Sequence, residues 1–581
     1  MEPGPRLADA VLFPTAAYFP ELQQPVVQPS NIKWEHSSLN PANRIDSLDA
    51  VASPTWDIDG VSMDGQQIWA IPRFARGKPP KRIDIYYQAS DLSLPRLDML
   101  EAHKLFLVGG AGRGSLDVTR HFLRALEYWS SKVPDFERQY MNAPFGSQIA
   151  IKGISHDVAS ISIRLILDYN LERQWLSSRE LQNGWGVEDG VIPEEINIDK
   201  LQFKRQLQDS ICVVAIDGQP ELGDLIFKSH PLNVQHTYRE LRNLIRLPPH
   251  PNVQQKPLYL VSKRVRFGGK RGICGYLMEF LPMGSLDMVL GRFRDQLLLS
   301  TRIKWAKDIT RGLIAIRDSP LGYYPDLKPD NVIMVNPHGT ESVEDLTAVI
   351  IDFEQSMPWM KWAPPEVYWI NHIERIASGN VDDSIKDEAV SLLLSLVPDW
   401  KPTDRNVKYR PESDWHCPAW AHLNATEKTS GVVYMLGKTI WSIMEGAVDI
   451  IEPATLSSFW AERPAPIFPT FHRTPPSLQE CLRQCTSGAP EWNGRKQPFH
   501  IQGGKIKLRE MEGLVDPFDA QHIQSAAREW WKEELAYARR YIRIRTNGPV
   551  DSADENFVSF MYKRPGLEDV LLALEKAEQD C

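Results

Sequence analysis

The stretch Tyr324-Pro325-Asp326-Leu327-Lys328-Pro329-Asp330-Asn331 decides how this chain is read. It sets a carboxylate, an ammonium and an amide close together, just before the apolar run Val332-Ile333-Met334-Val335. Proline and aspartate favour turns, so the stretch alone also fits a turn without chemistry. Two later segments decide between these readings. Val349-Ile350-Ile351-Asp352-Phe353-Glu354 is an apolar strand ending in a carboxylate, and Trp362-Ala363-Pro364-Pro365-Glu366-Val367 follows it. Three such elements in one order, within about 45 residues, are hard to obtain by chance.

These segments resemble the catalytic loop (H-R-D-L-K-P-x-N), the D-F-G element and the A-P-E element of eukaryotic protein kinases. The resemblance implies transfer of the ATP γ-phosphoryl group to a Ser or Thr hydroxyl of a protein. Asp326 is then the base that orients the hydroxyl, and Lys328 neutralises charge. Asn331 and Asp352 are the Mg²⁺ ligands. By the same resemblance, Asp224–Lys228 is the strand whose Lys228 contacts the ATP phosphates. Glu240, in Tyr238–Leu247, is its partner, and Pro249–Val253 is the turn that follows. Tyr276–Leu286 resembles the hinge, so the Glu279 carbonyl and Leu281 amide would bind the adenine edge. Arg564, in Lys563-Arg564-Pro565, is expected to pair with Glu366, with Arg495 a rival. The chain as a whole is similar to divergent kinase-like proteins of filamentous fungi.

The departures point to an alternative, a pseudokinase that binds nucleotide or partners as a scaffold. The nucleotide-covering loop falls at Leu207–Val214, which holds no glycine to let backbone amides approach phosphate. Tyr324-Pro325 replaces His-Arg, and Glu354 stands where D-F-G has glycine. Val432 takes the place of a buried helix aspartate. Only 13 residues separate Asp352 from Glu366, and Ser356 is their one hydroxyl.

The expected fold class is α+β, a two-lobed kinase-like fold with an additional N-terminal α+β region. Residues 1–55, rich in Pro, Ser and Asn, are expected to be poorly ordered. Residues 56–190 form an extension of unknown function, 196–283 a small lobe, and 284–581 a large lobe with insertions at about 367–427 and 493–557. In the extension, Gln67–Pro72, Arg82–Gln88, Lys104–Val108 and Ala159–Tyr169 read as strands, and Ser115–Trp129 as a helix. Ser177-Ser178-Arg179-Glu180 fits a capping box, with Gly184 as the helix stop. In the second insertion a long helix is expected with Asp516 as cap and Pro517 at its first position, running to about Ile542. Its Arg539, Arg540, Arg543 and Arg545 fit either a basic docking surface or a helix end favoured by the dipole.

At 581 residues the chain exceeds what one core supports. A net charge of −9 argues against a general nucleic-acid binder. No signal peptide and no run of about 18 apolar residues is seen, so no membrane is expected and the location is read as cytoplasmic or nuclear. Six cysteines in a chain this long read as reduced thiols, Cys481 and Cys485 included. The glycine loop within Lys104–Gly114 lacks the G-K-[ST] of a phosphate loop and reads as a tight turn. The partner implied is a protein substrate or signalling partner, and the oligomeric state is left open.

Overall fold

The computed structural model describes residues 53–61, 67–81, 83–87, 118–152, 157–188, 190–230, 234–265, 269–336, 342–359, 361–402, 409, 417–448, 467–495, 497–502, 505–509, 516–517 and 519–580, with Val11, Thr15 and Tyr18. The fold is α+β. The expected strand at Lys104–Val108 and the glycine loop lie outside the described residues.

Five strands form the first sheet, in the order β1 (Trp56–Val61), β2 (Gln67–Pro72), β3 (Ile83–Tyr87), β4 (Ser147–Lys152), β5 (Ser162–Ile166). Neighbours are antiparallel except β3 and β4, which are parallel. A parallel pair needs a long crossover, and the helices Val118–Lys132 and Phe136–Asn142 fall within it. Phe122, Leu126 and Tyr140 join Ile83, Ile85, Ile149 and Ile151 in the core. The capping box at Ser177 is present, but the helix runs through Trp185 and stops at Gly186, whose φ of 63° suits glycine. Gly184 is therefore inside the helix.

The second sheet has the order β6 (Glu195–Asn197), β10 (Tyr259–Arg264), β11 (Arg271–Glu279), β9 (Leu225–Lys228), β8 (Ile211–Ile216), β7 (Leu201–Gln208). The helix Val234–Arg246 packs against it through a helical-spacing stripe of Val234, Tyr238, Leu241, Leu244 and Ile245. The edge strand β7 is covered by the extension. Gly77 N donates to the Phe203 carbonyl and Phe203 N to the Lys78 carbonyl, both at 2.8 Å, and Gln206 N donates to Asp59 Oδ2 at 2.7 Å. Covering an edge removes a site for stray strand pairing.

From Leu286 onward helices dominate. Ala425–Glu445 is buried continuously from Gly431 to Glu445, so neighbouring helices surround it. The hairpin β12 (Val332–Val335) and β13 (Thr347–Ile350) lies between Leu299–Arg317 and Pro365–Ser378 in sequence. A second hairpin, β14 (Phe499–Gln502) and β15 (Lys505–Leu508), precedes the long helix Ala520–Asn547. That helix starts later than expected. Its cap is Asp519, whose Oδ1 accepts from Gln521 N at 2.7 Å, and not Asp516. Its arginines are paired within the chain: Arg539 with Glu388, Arg540 and Arg543 with Asp554, and Arg545 with Glu427. The docking-surface option gives way to the packed-helix option. Val11 packs into a small core with Phe499, Leu508, Ile523 and Ala527, and Asp382 N donates to the Tyr18 carbonyl at 3.3 Å. No described helix is long and apolar enough to cross a membrane.

His372 is fully buried, stacked on Trp531 at 5.4 Å, and neither ring nitrogen has a hydrogen-bond partner among the described residues. Burial, aided by Arg375, pushes its pKa down to about 3. The unfolded chain therefore takes up a proton near pH 6.5 that the folded chain refuses, and stability falls as pH drops below that value. His372→Phe keeps the stack and removes the proton. From pH 7.5 to pH 5.0, unfolding free energies from urea titration should shift in the variant's favour, relative to wild type, by about 2 kcal/mol.

Candidate functional site

Lys228 ends β9, and its ammonium is buried. Nζ lies 2.6 Å from Glu240 Oε2, 2.6 Å from Asp352 Oδ1 and 3.3 Å from Glu354 Oε2. Burial penalises the ammonium, but the three carboxylates outweigh it and hold its pKa well above the usual lysine value. The carboxylates respond in the opposite sense. Burial pushes Glu240 up to about 7 against the pull of Lys228, and raises Glu354 for the same reason.

Glu240 comes from the middle of Val234–Arg246, beside the apolar stripe that seats the helix. Its Oε1 accepts from Phe353 N at 3.2 Å, and Asn243 Nδ2 donates to the Phe353 carbonyl at 2.9 Å. The helix thus holds both the lysine and the chain just after Asp352. Asp352 itself has φ of 65°, a left-handed conformation uncommon for a non-glycine residue. Gln254 Oε1 accepts its N–H at 3.2 Å, and the Tyr324 hydroxyl donates to the preceding Ile351 carbonyl at 2.5 Å. Gln254 is placed by the Pro249–Val253 turn, because Ile350 N donates to the Asn252 carbonyl and Gln254 N to the Ile350 carbonyl, both at 2.9 Å.

Asp326, Lys328 and Asn331 form the other half. Asn331 Nδ2 donates to the Asp326 carbonyl and to its Oδ2, both at 2.9 Å. Lys328 Nζ lies 3.5 Å from Asp326 Oδ2 and 3.2 Å from Asp330 Oδ2, over the Trp359 ring at 4.9 Å from its centroid. Burial, with Asp352 and Asp330 nearby, pushes Asp326 up to about 6 despite Lys328. Its Oδ1 accepts from Trp359 N at 3.2 Å. Glu279 closes β11, opposite Leu225, and is exposed; Leu281 follows the strand end and is half-buried.

Six of the eight candidate residues therefore fall into two clusters joined through Asp352 and Tyr324, and Glu279 and Leu281 lie at one strand end. Sequence reasoning missed the parts played by Gln254, Tyr324, Glu354 and Trp359. Glu354 and Tyr324 carried a signal, since each stands where the resembled motifs have another residue. Val432 is buried and supplies no polar group at its place in Ala425–Glu445. The sheet hairpin β7–β8 turns through Asp209 and Ser210 without glycine.

Chemically, the arrangement offers a caged ammonium, a half-buried carboxylate at Asp352 and a buried carboxylate at Asp326 whose pKa is raised toward neutrality. Such a set suits binding of an anion with a hard cation, and proton acceptance from a hydroxyl. Comparison with protein-family models and with curated proteins finds no match to this sequence.

The chain leaving the site is anchored by a buried ion pair. Glu366 begins the helix Pro365–Ser378, and its carboxylate takes Arg564 Nη1 at 2.5 Å and Nη2 at 3.1 Å. Arg495, the rival, pairs with Glu533 and Glu534 instead. Both side chains of the Glu366–Arg564 pair are fully buried, so removing one strands the other's charge. Arg564→Met should lower stability by about 3–5 kcal/mol in urea denaturation, and adding Glu366→Gln should recover part of that loss.

Proposed function

We propose that this protein is a divergent protein kinase that transfers the γ-phosphoryl group of ATP to a Ser or Thr hydroxyl of a protein substrate. The observation that carries the reading is the cage around Lys228, formed by Glu240 and Asp352 from distant parts of the chain, beside the Asp326–Asn331 pair. The architecture supports a two-lobed kinase-like reading, with a six-stranded sheet and one helix on the N-terminal side and helices on the other. The five-stranded sheet is then the added N-terminal region.

In this reading Lys228 holds the α- and β-phosphates and Glu240 keeps the ammonium in place. The Glu279 carbonyl and the Leu281 amide meet the adenine edge. Asp326 orients the acceptor hydroxyl and takes its proton, a role that its raised pKa suits. Asp352 and the Asn331 side-chain oxygen would hold Mg²⁺, which neutralises phosphate charge. The fit rests on hard oxygen donors, with the Asn331 NH₂ already turned toward Asp326.

A second reading, a pseudokinase scaffold, is favoured by two contacts. Glu354 adds a third carboxylate to Lys228, and Trp359 N occupies Asp326 Oδ1, where an acceptor hydroxyl would bind. A radiolabel assay with Mg²⁺-ATP and generic acceptors separates the two readings. Under the kinase reading, label transfer should be lost in Asp352→Asn and fall by about 10²–10⁴-fold in Asp326→Asn. No transfer by the wild type, with nucleotide still bound, favours the scaffold.

Nucleotide binding should need the metal, so ATP should raise the melting temperature with Mg²⁺ and do so much less with EDTA. Equal shifts in both buffers would remove the metal assignment. Glu354→Gln lifts one negative charge from the phosphate-binding lysine, and should tighten Mg²⁺-ATP binding by about five- to tenfold in calorimetric titration.

A further inference from the structure

We propose that Trp185 and Tyr409 are positioning residues that set the helix Val234–Arg246, and through it Glu240, against Lys228. The inference rests on the reading of Lys228 as the phosphate-binding lysine.

The helix is tied on two sides. On one side, Glu240 meets Lys228 and the Phe353 amide, and Asn243 meets the Phe353 carbonyl. On the other is Tyr238. Two residues along a helix is a rotation of roughly 200°, so Tyr238 and Glu240 point in nearly opposite directions. The Tyr238 hydroxyl is buried, accepts from Leu176 N at 2.8 Å and donates to the Ile273 carbonyl at 2.9 Å. Its ring meets the Tyr409 ring edge-on at 5.2 Å. The Tyr409 hydroxyl accepts from Trp185 Nε1 at 2.7 Å. The Trp185 carbonyl accepts from Arg246 Nη2 at 3.2 Å, at the last residue of the helix.

The residues holding that side come from outside the sheet and helix they brace. Leu176 and Trp185 belong to the extension, and Tyr409 to the stretch between the helices Asp383–Leu396 and Ala425–Glu445. The extension is itself fixed to the sheet. Ile273 N donates to the Leu176 carbonyl at 2.8 Å, and Lys263 Nζ lies 2.6 Å from the buried Glu172. A Cβ on Gly272 would sit 2.5 Å from Trp175 Cβ, so no gap is left there. A helix braced between a fixed support and a buried ion pair has little freedom to carry Glu240 away. The short segment from Asp352 to Glu366, with Ser356 its one hydroxyl, gives phosphorylation little to act on. The extension and Tyr409 supply the positioning instead.

The test uses the full-length chain with Trp185→Ala, Trp185→Phe and Tyr409→Phe. Trp185→Phe keeps a ring and loses the N–H donor, and Tyr409→Phe keeps its ring and loses the hydroxyl that accepts from it. Calorimetry with Mg²⁺-ATP and hydrogen exchange on the apo protein are the two readouts. Trp185→Ala should weaken Mg²⁺-ATP binding by about tenfold or more, and exchange should rise across Val234–Arg246 while Leu299–Arg317 keeps its protection. The two Phe variants should give smaller effects, with the double variant well short of their sum, because both remove the Trp185–Tyr409 bond. Exchange rising equally in both helices would mean a general structural role and would overturn the proposal. So would unchanged exchange in Val234–Arg246. A wild type that binds no nucleotide would count against the phosphate-binding reading alone, and the exchange arm would still decide whether Trp185 and Tyr409 set the helix.

Discussion

A buried ammonium cannot stand alone. Removing it from water costs several kcal/mol, and the protein must return that through partners of opposite charge at close range. Lys228 draws its partners from a helix and from the chain after β13, at 2.6 Å, 2.6 Å and 3.3 Å. Meeting that need fixes much else. The helix must sit with Glu240 inward, which aligns Asn243 with the Phe353 carbonyl. Asp352 must turn back through a left-handed φ, which Gln254 and Tyr324 hold in place. Tyr324 also begins the stretch containing Asp326, so the two clusters share one support.

The helical part answers a similar demand at Glu366. Its carboxylate is buried at the first turn of Pro365–Ser378, where the helix dipole favours a negative charge, and Arg564 adds two hydrogen bonds. Arg564 also stacks over Tyr434 at 4.9 Å and donates to the Ser487 carbonyl, so one side chain joins three helical regions. The arginines of the long helix follow the same rule. Arg539, Arg540, Arg543 and Arg545 each find an acid on a neighbouring element, which ties the helix to the chain.

What the sequence disclosed was local. Asp326, Lys328 and Asn331 lie within one turn and strand start, so their spacing alone brings them together. Glu240 was expected from the family resemblance, and the apolar stripe of its helix agrees with a carboxylate emerging beside a buried face. The α+β class followed from alternating and helical periods. Misplaced boundaries came from competition between equivalent signals: a glycine at either 184 or 186 suits a helix stop, and an aspartate at either 516 or 519 suits a cap. In each case the later residue won, and the observed bonds, not composition, distinguish the two. Contacts across distant chain left no trace in spacing. Trp185 and Tyr409 are 224 residues apart. The pairing of the four arginines needed Glu388, Asp554 and Glu427, which no motif points to.

The charge balance of the site bears on how the proposed chemistry would work. Two ammonium groups, Lys228 and Lys328, stand among five carboxylates: Glu240, Asp352, Glu354, Asp326 and Asp330. A polyphosphate approaching this set meets an excess of like charge in a place where burial weakens screening. Backbone amides of a glycine loop would offset some of that, but the β7–β8 turn has Asp209 and Ser210 instead. A cation brought with the nucleotide would supply positive charge there. On the proposed reading, the lost glycines and the added Glu354 therefore act in one direction. They shift the work of holding phosphate from the backbone to the metal, and Asp352 becomes more decisive than it would be beneath a glycine-lined turn.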